Sequence, residues 1–286
     1  MCLRQLGRLP APCLALAKRL LLFLLYRFPS YRREIVEANL LRAFPETSVA
    51  HRAEIARRYY AHLARLAVEV VRTPHMQSTE FTDAISLRNP TVVEAASENF
   101  TRTTLFLSIH QGNWEWMLHA ISGHFKISVD PIYKPLHSTP ADTFMHSVRA
   151  RFGAVPIRAQ DTGAYVLRNR REPRAIAVLA DQAPTDSEPK AAVRFFDQDI
   201  AFNNGITQLA RLTDATVIFV QCHAIDEASY ELEFHLIAEG DRDKTEENPQ
   251  QALLERYATL AEKSIRAQPH TWLWSHNRWK HAGAEE

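Results

Sequence analysis

Apolar residues at Ile55, Tyr59, Leu63, Leu66 and Val70 recur at three- and four-residue steps, which predicts a helix from about Val49 to Arg72 with one buried stripe. A shorter helix is expected near Arg32–Leu41, separated from it by the Ala43–Ser48 stretch containing Pro45. From about residue 101 the texture changes. Short apolar, β-rich runs predict strands at Thr104–Ile109, Ile127–Tyr133, Ala175–Leu179, Val193–Phe196, Val217–Cys222 and Tyr230–Ile237. Between them, helical patterns fall at Trp114–Ser122, Ala141–Phe152, Ala164–Arg170 and Gly205–Leu212, with a last one over Pro249–Ala267. This alternation predicts an α/β fold, with a mixed, mostly parallel sheet flanked by helices. Tyr230–Ile237 alternates apolar with polar residues, so it reads as an edge or half-exposed strand.

The segment Pro12–Phe28 is rich in leucine, but Lys18 and Arg19 interrupt it and the clean apolar run covers only Leu20–Tyr26. That is far short of the roughly 20 residues a bilayer span needs. No small-residue cleavage site follows, and the downstream flank is basic, unlike a cleaved signal. Two readings remain open. One is a helix lying in the membrane interface, with leucines and Phe23 among acyl chains and Arg19, Arg27, Arg32 and Arg33 near headgroups. The other is a core helix packed on the body.

Charge sharpens this picture. Across the 286 residues the formal net charge is +1, yet residues 1–60 hold eleven Lys/Arg against four Asp/Glu, a balance of +7 that leaves −6 for the remainder. A basic N-terminal section on a mildly acidic body points to an anionic surface. Nucleic acid fits less well than a membrane, because the basic residues flank leucines rather than stacking aromatics.

Composition removes several classes. At 46% hydrophobic and 23% charged residues the chain is ordinary globular protein, long enough for a substantial core. With 8 glycines and neither GxxxxGK[ST] nor GxGxxG, nucleotide-driven chemistry is disfavoured. Cys2, Cys13 and Cys222 are odd in number and lack metal-ligand spacing, so unpaired thiols in a reducing compartment are expected. Neither HExxH nor GxSxG occurs; zinc and serine-hydrolase chemistry are therefore poorly supported, and no metal or cofactor is expected.

The chemically informative stretch is Thr104–Leu118, where a hydrophobic strand ends at Ile109, a polar turn with Gly112 follows, and a helix starts near Trp114. Strand C-termini in open α/β sheets face the ligand crevice, which places His110 where chemistry happens. On one continuous helix, five residues turn the His110 and Glu115 side chains too far apart to meet. His110 must therefore sit in the turn and Glu115 in the first helical turn. A carboxylate on one imidazole nitrogen would fix the tautomer and free the other nitrogen as a base. A capping or surface interaction of the same pair is the bland alternative.

His110-Gln-Gly-Asn-Trp-Glu115 resembles the HxxxxE signature of the late acyltransferases of lipid A biosynthesis, the lauroyl and myristoyl transferase family within the wider lysophospholipid acyltransferase group. Further segments agree in order: Ile132–Leu136, Arg149–Gly153 with Ile157-Arg158, Ala180-Asp-Gln182, Phe195-Phe196 and Trp272–Lys280. The early Arg33–Pro45 stretch also fits. Asp197 departs from the pattern by replacing a glycine after the paired aromatics, and Phe202-Asn-Asn204 stands where small hydroxyl residues are common. Both departures fall where an acyl or acceptor pocket is expected.

The resemblance implies residues 1–30 as a membrane-associating amphipathic segment and 31–286 as the catalytic domain, helical over 31–100 and α/β over 101–286. It implies transfer of a fatty acyl group from a thioester, with acyl carrier protein as donor partner, to a hydroxyl of a phosphorylated lipid A precursor. His110 would be the base, supported by Glu115, with no acyl-enzyme. Asn113, Arg149, Arg158 or amides near Gly112 are candidate oxyanion donors. Lys134, Arg149 and Arg158 suit a phosphate-bearing acceptor. Asp181 and Gln182 would contact substrate or merely cap a strand. Trp272, Trp274 and Trp279 read as core or interface anchors. The implied location is the cytoplasmic face of the inner membrane, peripheral or monotopic, with no nucleic-acid partner. An acyltransferase for another glycolipid, an ornithine lipid or a lysophospholipid competes with this reading, as do a hydrolase and a non-catalytic membrane-binding protein.

Overall fold

The computed structural model describes residues 5–27, 31–240 and 247–280; Cys2, the Arg27 side chain and Phe28 lie outside them. Helix α1 (Ala11–Arg27), helix α2 (Arg33–Ala43) and the long helix α3 (Val49–Arg72) come first. Helix α3 begins where the apolar stripe does because the Ser48 side chain caps it, accepting the His51 N–H at 3.2 Å. Helix α1 packs along α3, burying Leu14 and turning Leu22 and Leu25 inward, while Leu16, Leu20, Phe23 and Leu24 stay exposed. Among the described residues, no helix is long and apolar enough to cross a membrane.

Helix α4 (Ser78–Ala84), strand β1 (Ile85–Leu87) and helix α5 (Thr91–Ala96) follow, then the alternating body. Its strands are β2 (Thr104–Ser108), β3 (Val129–Tyr133), β4 (Ile157–Arg158), β5 (Ala175–Leu179), β8 (Thr216–Ala224) and β9 (Tyr230–Glu239), with β6 (Lys190–Phe195) and β7 (Gln198–Asn203) in a separate hairpin. The main sheet runs β1-β9-β8-β2-β5-β3-β4. Strands β8, β2, β5, β3 and β4 are parallel, and β9 runs antiparallel to β8. The covering helices are α6 (Trp114–Phe125), α7 (Thr139–Arg149), α8 (Thr162–Asn169), α9 (Gly205–Thr213) and α10 (Pro249–Ala267).

Strand β2 lies at the centre and all five of its residues are buried. Leu105, Leu107 and Ile109 face one core, shared with Tyr257 and Ile265 of α10, Trp272, Trp274 and the β6–β7 hairpin. Phe106 faces the other, shared with Trp116 and Met117 of α6, Phe81 and Phe234. Burial on both faces explains why this strand reads as a continuous apolar run. Truncating a fully buried side chain such as Phe106 to alanine costs about 3–5 kcal/mol in lost transfer and a residual cavity.

Several sequence expectations need correction. Tyr230–Glu239 alternates in burial as expected but is not the sheet edge, because the three-residue β1, inside the stretch read as helical, pairs alongside it. The Val193–Phe196 strand belongs to the hairpin rather than the main sheet, since its hydrogen bonds go to β7. The Ala141–Phe152 helix ends at Arg149, where a short 3-10 turn puts Phe152 at φ 55.

Candidate active site

Parallel pairing brings two distant residues together. Strands β2 and β5 are in register with Ser108 opposite Leu179, so two residues later His110 and Asp181 emerge side by side at the strands' C-terminal ends. The His110 Nδ1 lies 2.7 Å from Asp181 Oδ1, and the His110 backbone N–H donates to Oδ2 at 3.0 Å. A third donor, the Trp272 indole N–H, reaches Oδ2 at 2.7 Å. Burial alone would raise the Asp181 carboxyl, but the adjacent imidazole and these donors outweigh it and hold it down at about 2. An ionised acceptor there requires Nδ1 to carry the proton, leaving the Nε2 lone pair free. The His110 side chain keeps 17% of its surface exposed. The Trp114 ring stands edge-on to the imidazole at 5.2 Å.

Glu115 lies close enough to feel the charge of His110, but its hydrogen bonds go elsewhere. It occupies the first turn of α6, as the spacing required, but its carboxylate forms a forked ion pair with Arg149 of α7, with contacts of 2.5, 3.0 and 3.2 Å. Burial opposes ionisation of Glu115, and the Arg149 guanidinium more than compensates, holding the carboxyl below its ordinary value. The carboxylate hydrogen-bonded to the His110 ring therefore comes from the turn after β5, not from the HxxxxE stretch. Arg149 also lies over the Tyr133 ring at 5.5 Å, at the end of β3.

The turn between His110 and α6 is tied at each residue. Gln111 donates through its side chain to the Ser264 and Gln268 carbonyls at 3.1 and 3.2 Å. The Gly112 N–H donates to the Thr271 carbonyl at 3.2 Å, and the Gly112 carbonyl accepts from His62 of α3 at 3.1 Å. Burial pushes the His62 imidazole down to about 3, so it is the neutral ring that donates. Gly112 has φ +64, and a Cβ there would fall 2.7 Å from the Cys222 carbonyl oxygen and Sγ, so only glycine fits. The Asn113 side chain works in both directions: Oδ1 caps α6 by accepting the Trp116 N–H at 2.9 Å, and Nδ2 donates one N–H to buried Glu69 at 2.8 Å. The Gly112 amide is thus taken by Thr271 and one Asn113 amide N–H by Glu69.

The chain matches the bacterial lipid A biosynthesis acyltransferase family over residues 1–281. It belongs to that family. Comparison with curated proteins found no match. The family's activity is acyl transfer in lipid A biosynthesis.

Around His110 of this acyltransferase, the residues expected to contact substrate divide into two groups. Lys134, after β3, is half exposed and pairs with Glu188 at 2.8 Å; Arg158, ending β4, is exposed and hydrogen-bonds Tyr133. Both stand at strand C-terminal ends, on the same sheet edge as His110. Gln182 is partly buried, and its amide nitrogen lies 3.4 Å from His110 Nε2. Asp181 and Arg149, by contrast, are turned inward to His110 and Glu115.

The two departures from the family pattern have local explanations. Asp197 and Phe196 form the β6–β7 turn, both with positive φ (58 and 48), the place a glycine is favoured. Phe202 is buried between aromatics, Asn203 accepts the Gly205 N–H at 2.7 Å, and Asn204 accepts the Thr207 hydroxyl at 2.5 Å. Sequence reading missed His62, Glu69 and the Trp272 indole as parts of the site. Only the Trp272–Lys280 motif carried a signal; the others lie on α3 with no local pattern to mark them.

Proposed function

We propose that this acyltransferase moves a fatty acyl group from acyl carrier protein onto a hydroxyl of a phosphorylated lipid A precursor in one direct displacement. His110 Nε2 takes the proton of the acceptor hydroxyl, and Asp181 stabilises the imidazolium that forms. The oxygen attacks the thioester carbonyl, the tetrahedral adduct collapses with loss of the C–S bond, and the imidazolium returns its proton to the leaving thiolate. The observation that carries this reading is the buried Asp181 carboxylate, hydrogen-bonded to Nδ1 of a partly exposed histidine, in a chain of this family.

An acyl-enzyme route finds no support. The Cys222 thiol is buried and pushed up to about 12, and the Ser108 hydroxyl is spent on the Val220 carbonyl at 2.6 Å. Glu115 and Arg149 pair beneath His110's turn, while exposed Lys134, in its surface pair with Glu188, and exposed Arg158 suit acceptor phosphates. The enzyme docks on the cytoplasmic face of the inner membrane as a peripheral or monotopic protein. Supporting this, α1 exposes Leu16, Leu20, Phe23 and Leu24, while its Lys18 pairs at 3.1 Å with Glu227 of the β8–β9 loop, on the sheet edge that holds His110.

The test is acyl transfer by purified protein in detergent, from acyl carrier protein thioesters to a phosphorylated lipid A precursor. Transfer by wild type and a loss of about a thousandfold in His110→Ala is the expected result. Unchanged transfer by His110→Ala would end the mechanism, and transfer only to a different lipid would end the assignment of acceptor.

A further inference from the structure

The C-terminal motif Trp272–Lys280 is only partly accounted for by Trp272 and its bond to Asp181. His276 makes a second contact with the same turn. Its Nε2 accepts the Ala183 backbone N–H at 3.0 Å, one residue beyond Gln182. A ring that accepts at Nε2 is neutral and carries its proton on Nδ1. The segment bearing it is itself anchored: Asn39 of α2 donates to the Trp274 and His276 carbonyls at 2.7 Å each, and Arg32 donates to the Ser275 carbonyl at 3.0 Å. Pro184 restricts Ala183 to extended backbone, which removes the easiest way for that amide to turn aside.

Gln182 is therefore held between two fixed points. On one side Asp181 is locked by three donors; on the other the Ala183 amide is locked by His276. Between them the Gln182 amide nitrogen meets His110 Nε2 at 3.4 Å. Because the Nδ1 proton points to Asp181, Nε2 holds the lone pair and the Gln182 N–H donates to it. The amide occupies the position that an acceptor hydroxyl must take to be deprotonated.

We infer that His276 is a positioning residue, acting through the Ala183 amide to hold Gln182 against His110 Nε2 until the acceptor hydroxyl displaces it. The contact keeps the base in its Nδ1–H tautomer and reserves the hydroxyl's place from bulk water. The inference rests on the acyl-transfer reading for its catalytic consequence, but the geometry it asserts is measurable without substrate.

The experiment compares His276→Gln, whose carbonyl can still accept the Ala183 N–H, with His276→Leu, which cannot. Each is assayed for kcat and acceptor KM, and for the 15N ring resonances of His110 in histidine-labelled protein, identified by their loss in His110→Ala. The expected result is kcat within about threefold of wild type and unchanged His110 resonances in His276→Gln. His276→Leu is expected to lower kcat by about 10- to 100-fold, the scale of a displaced catalytic contact, with KM within about threefold and a shifted Nε2 resonance. Gln182→Ala, which leaves His276 in place, should reproduce the His276→Leu resonance shift, and it serves as the test if His276→Leu does not fold. Equal kcat in the Gln and Leu variants, or His110 resonances unmoved by both His276→Leu and Gln182→Ala, overturns the inference. The expected resonance pattern in a wild type that transfers no acyl group would leave the positioning intact and sink the acyl-transfer reading instead.

Discussion

Replacing Asp181 with asparagine changes one atom's identity and should reverse the tautomer of His110. The Asp181 Oδ2 accepts two N–H donors, the His110 amide and the Trp272 indole, while Oδ1 accepts one, the His110 Nδ1–H. An asparagine has one acceptor oxygen. It satisfies more partners by turning that oxygen to the two fixed donors and its NH2 to Nδ1, which must then lose its proton. Reversing the amide instead would set the NH2 against two buried donors, each costing about 1–3 kcal/mol. The imidazole proton moves to Nε2, and the base is gone at the nitrogen facing the acceptor. Loss of the carboxylate also removes the charge that stabilises the imidazolium, and a comparable change in a serine-protease triad lowers kcat by about 10⁴-fold. For Asp181→Asn we expect kcat to fall by about 10³- to 10⁴-fold with acceptor KM little changed, because Asp181 is buried and bonded to His110 and Trp272. Steady-state transfer in detergent, with denaturant unfolding as a control for folding, measures this. A variant within about tenfold of wild-type kcat would refute both the tautomer argument and the role of Asp181.

Three further outcomes follow from the same geometry. Glu115→Gln strands the buried Arg149 guanidinium and should cost about 3 kcal/mol in urea unfolding, most of it recovered when Arg149→Met is added, without recovery of activity. His62 and His119 are neutral in the fold, pushed by burial to about 3 and about 4, whereas in the unfolded chain they protonate near 6.5. Below that value the unfolded state binds more protons, so stability present at neutral pH should drain away between about pH 6.5 and 4, by up to about 1.4 kcal/mol per pH unit for each ring. Urea midpoints across that range check the slope, which should be shallower in His62→Gln. Finally, Asp197→Gly relieves a non-glycine residue at φ 58 in an exposed turn and should raise stability by about 0.5–1 kcal/mol, read as a shift in urea midpoint.

How much of the site could be read from the sequence depended on how local each part is. The strand–turn–helix around His110 was legible because its signals are contiguous: a buried apolar run, a glycine that must take positive φ, an asparagine cap and an apolar helix. That information also fixes where His110 and Glu115 stand relative to one another. It does not say which carboxylate the imidazole meets. Asp181 lies 71 positions away, and only the parallel register of β2 with β5 sets it beside His110. Arg149 looked like a free cation for substrate because a guanidinium's partner is invisible until α7 is seen to dock its end on Glu115.

The amino-acid pattern by itself determined the long helix Val49–Arg72, the α/β alternation and the place of His110 between a buried strand and a helix, because periodicity, capping and turn chemistry act within a few residues. Tertiary structure alone decided the pairing: His110 with Asp181, Glu115 with Arg149, Gly112 with His62, and the C-terminal tryptophans and His276 with the turn after β5. Hydrogen bonds between buried polar groups far apart in sequence leave no periodic trace, because each is satisfied by whichever partner the packed sheet brings within 3 Å.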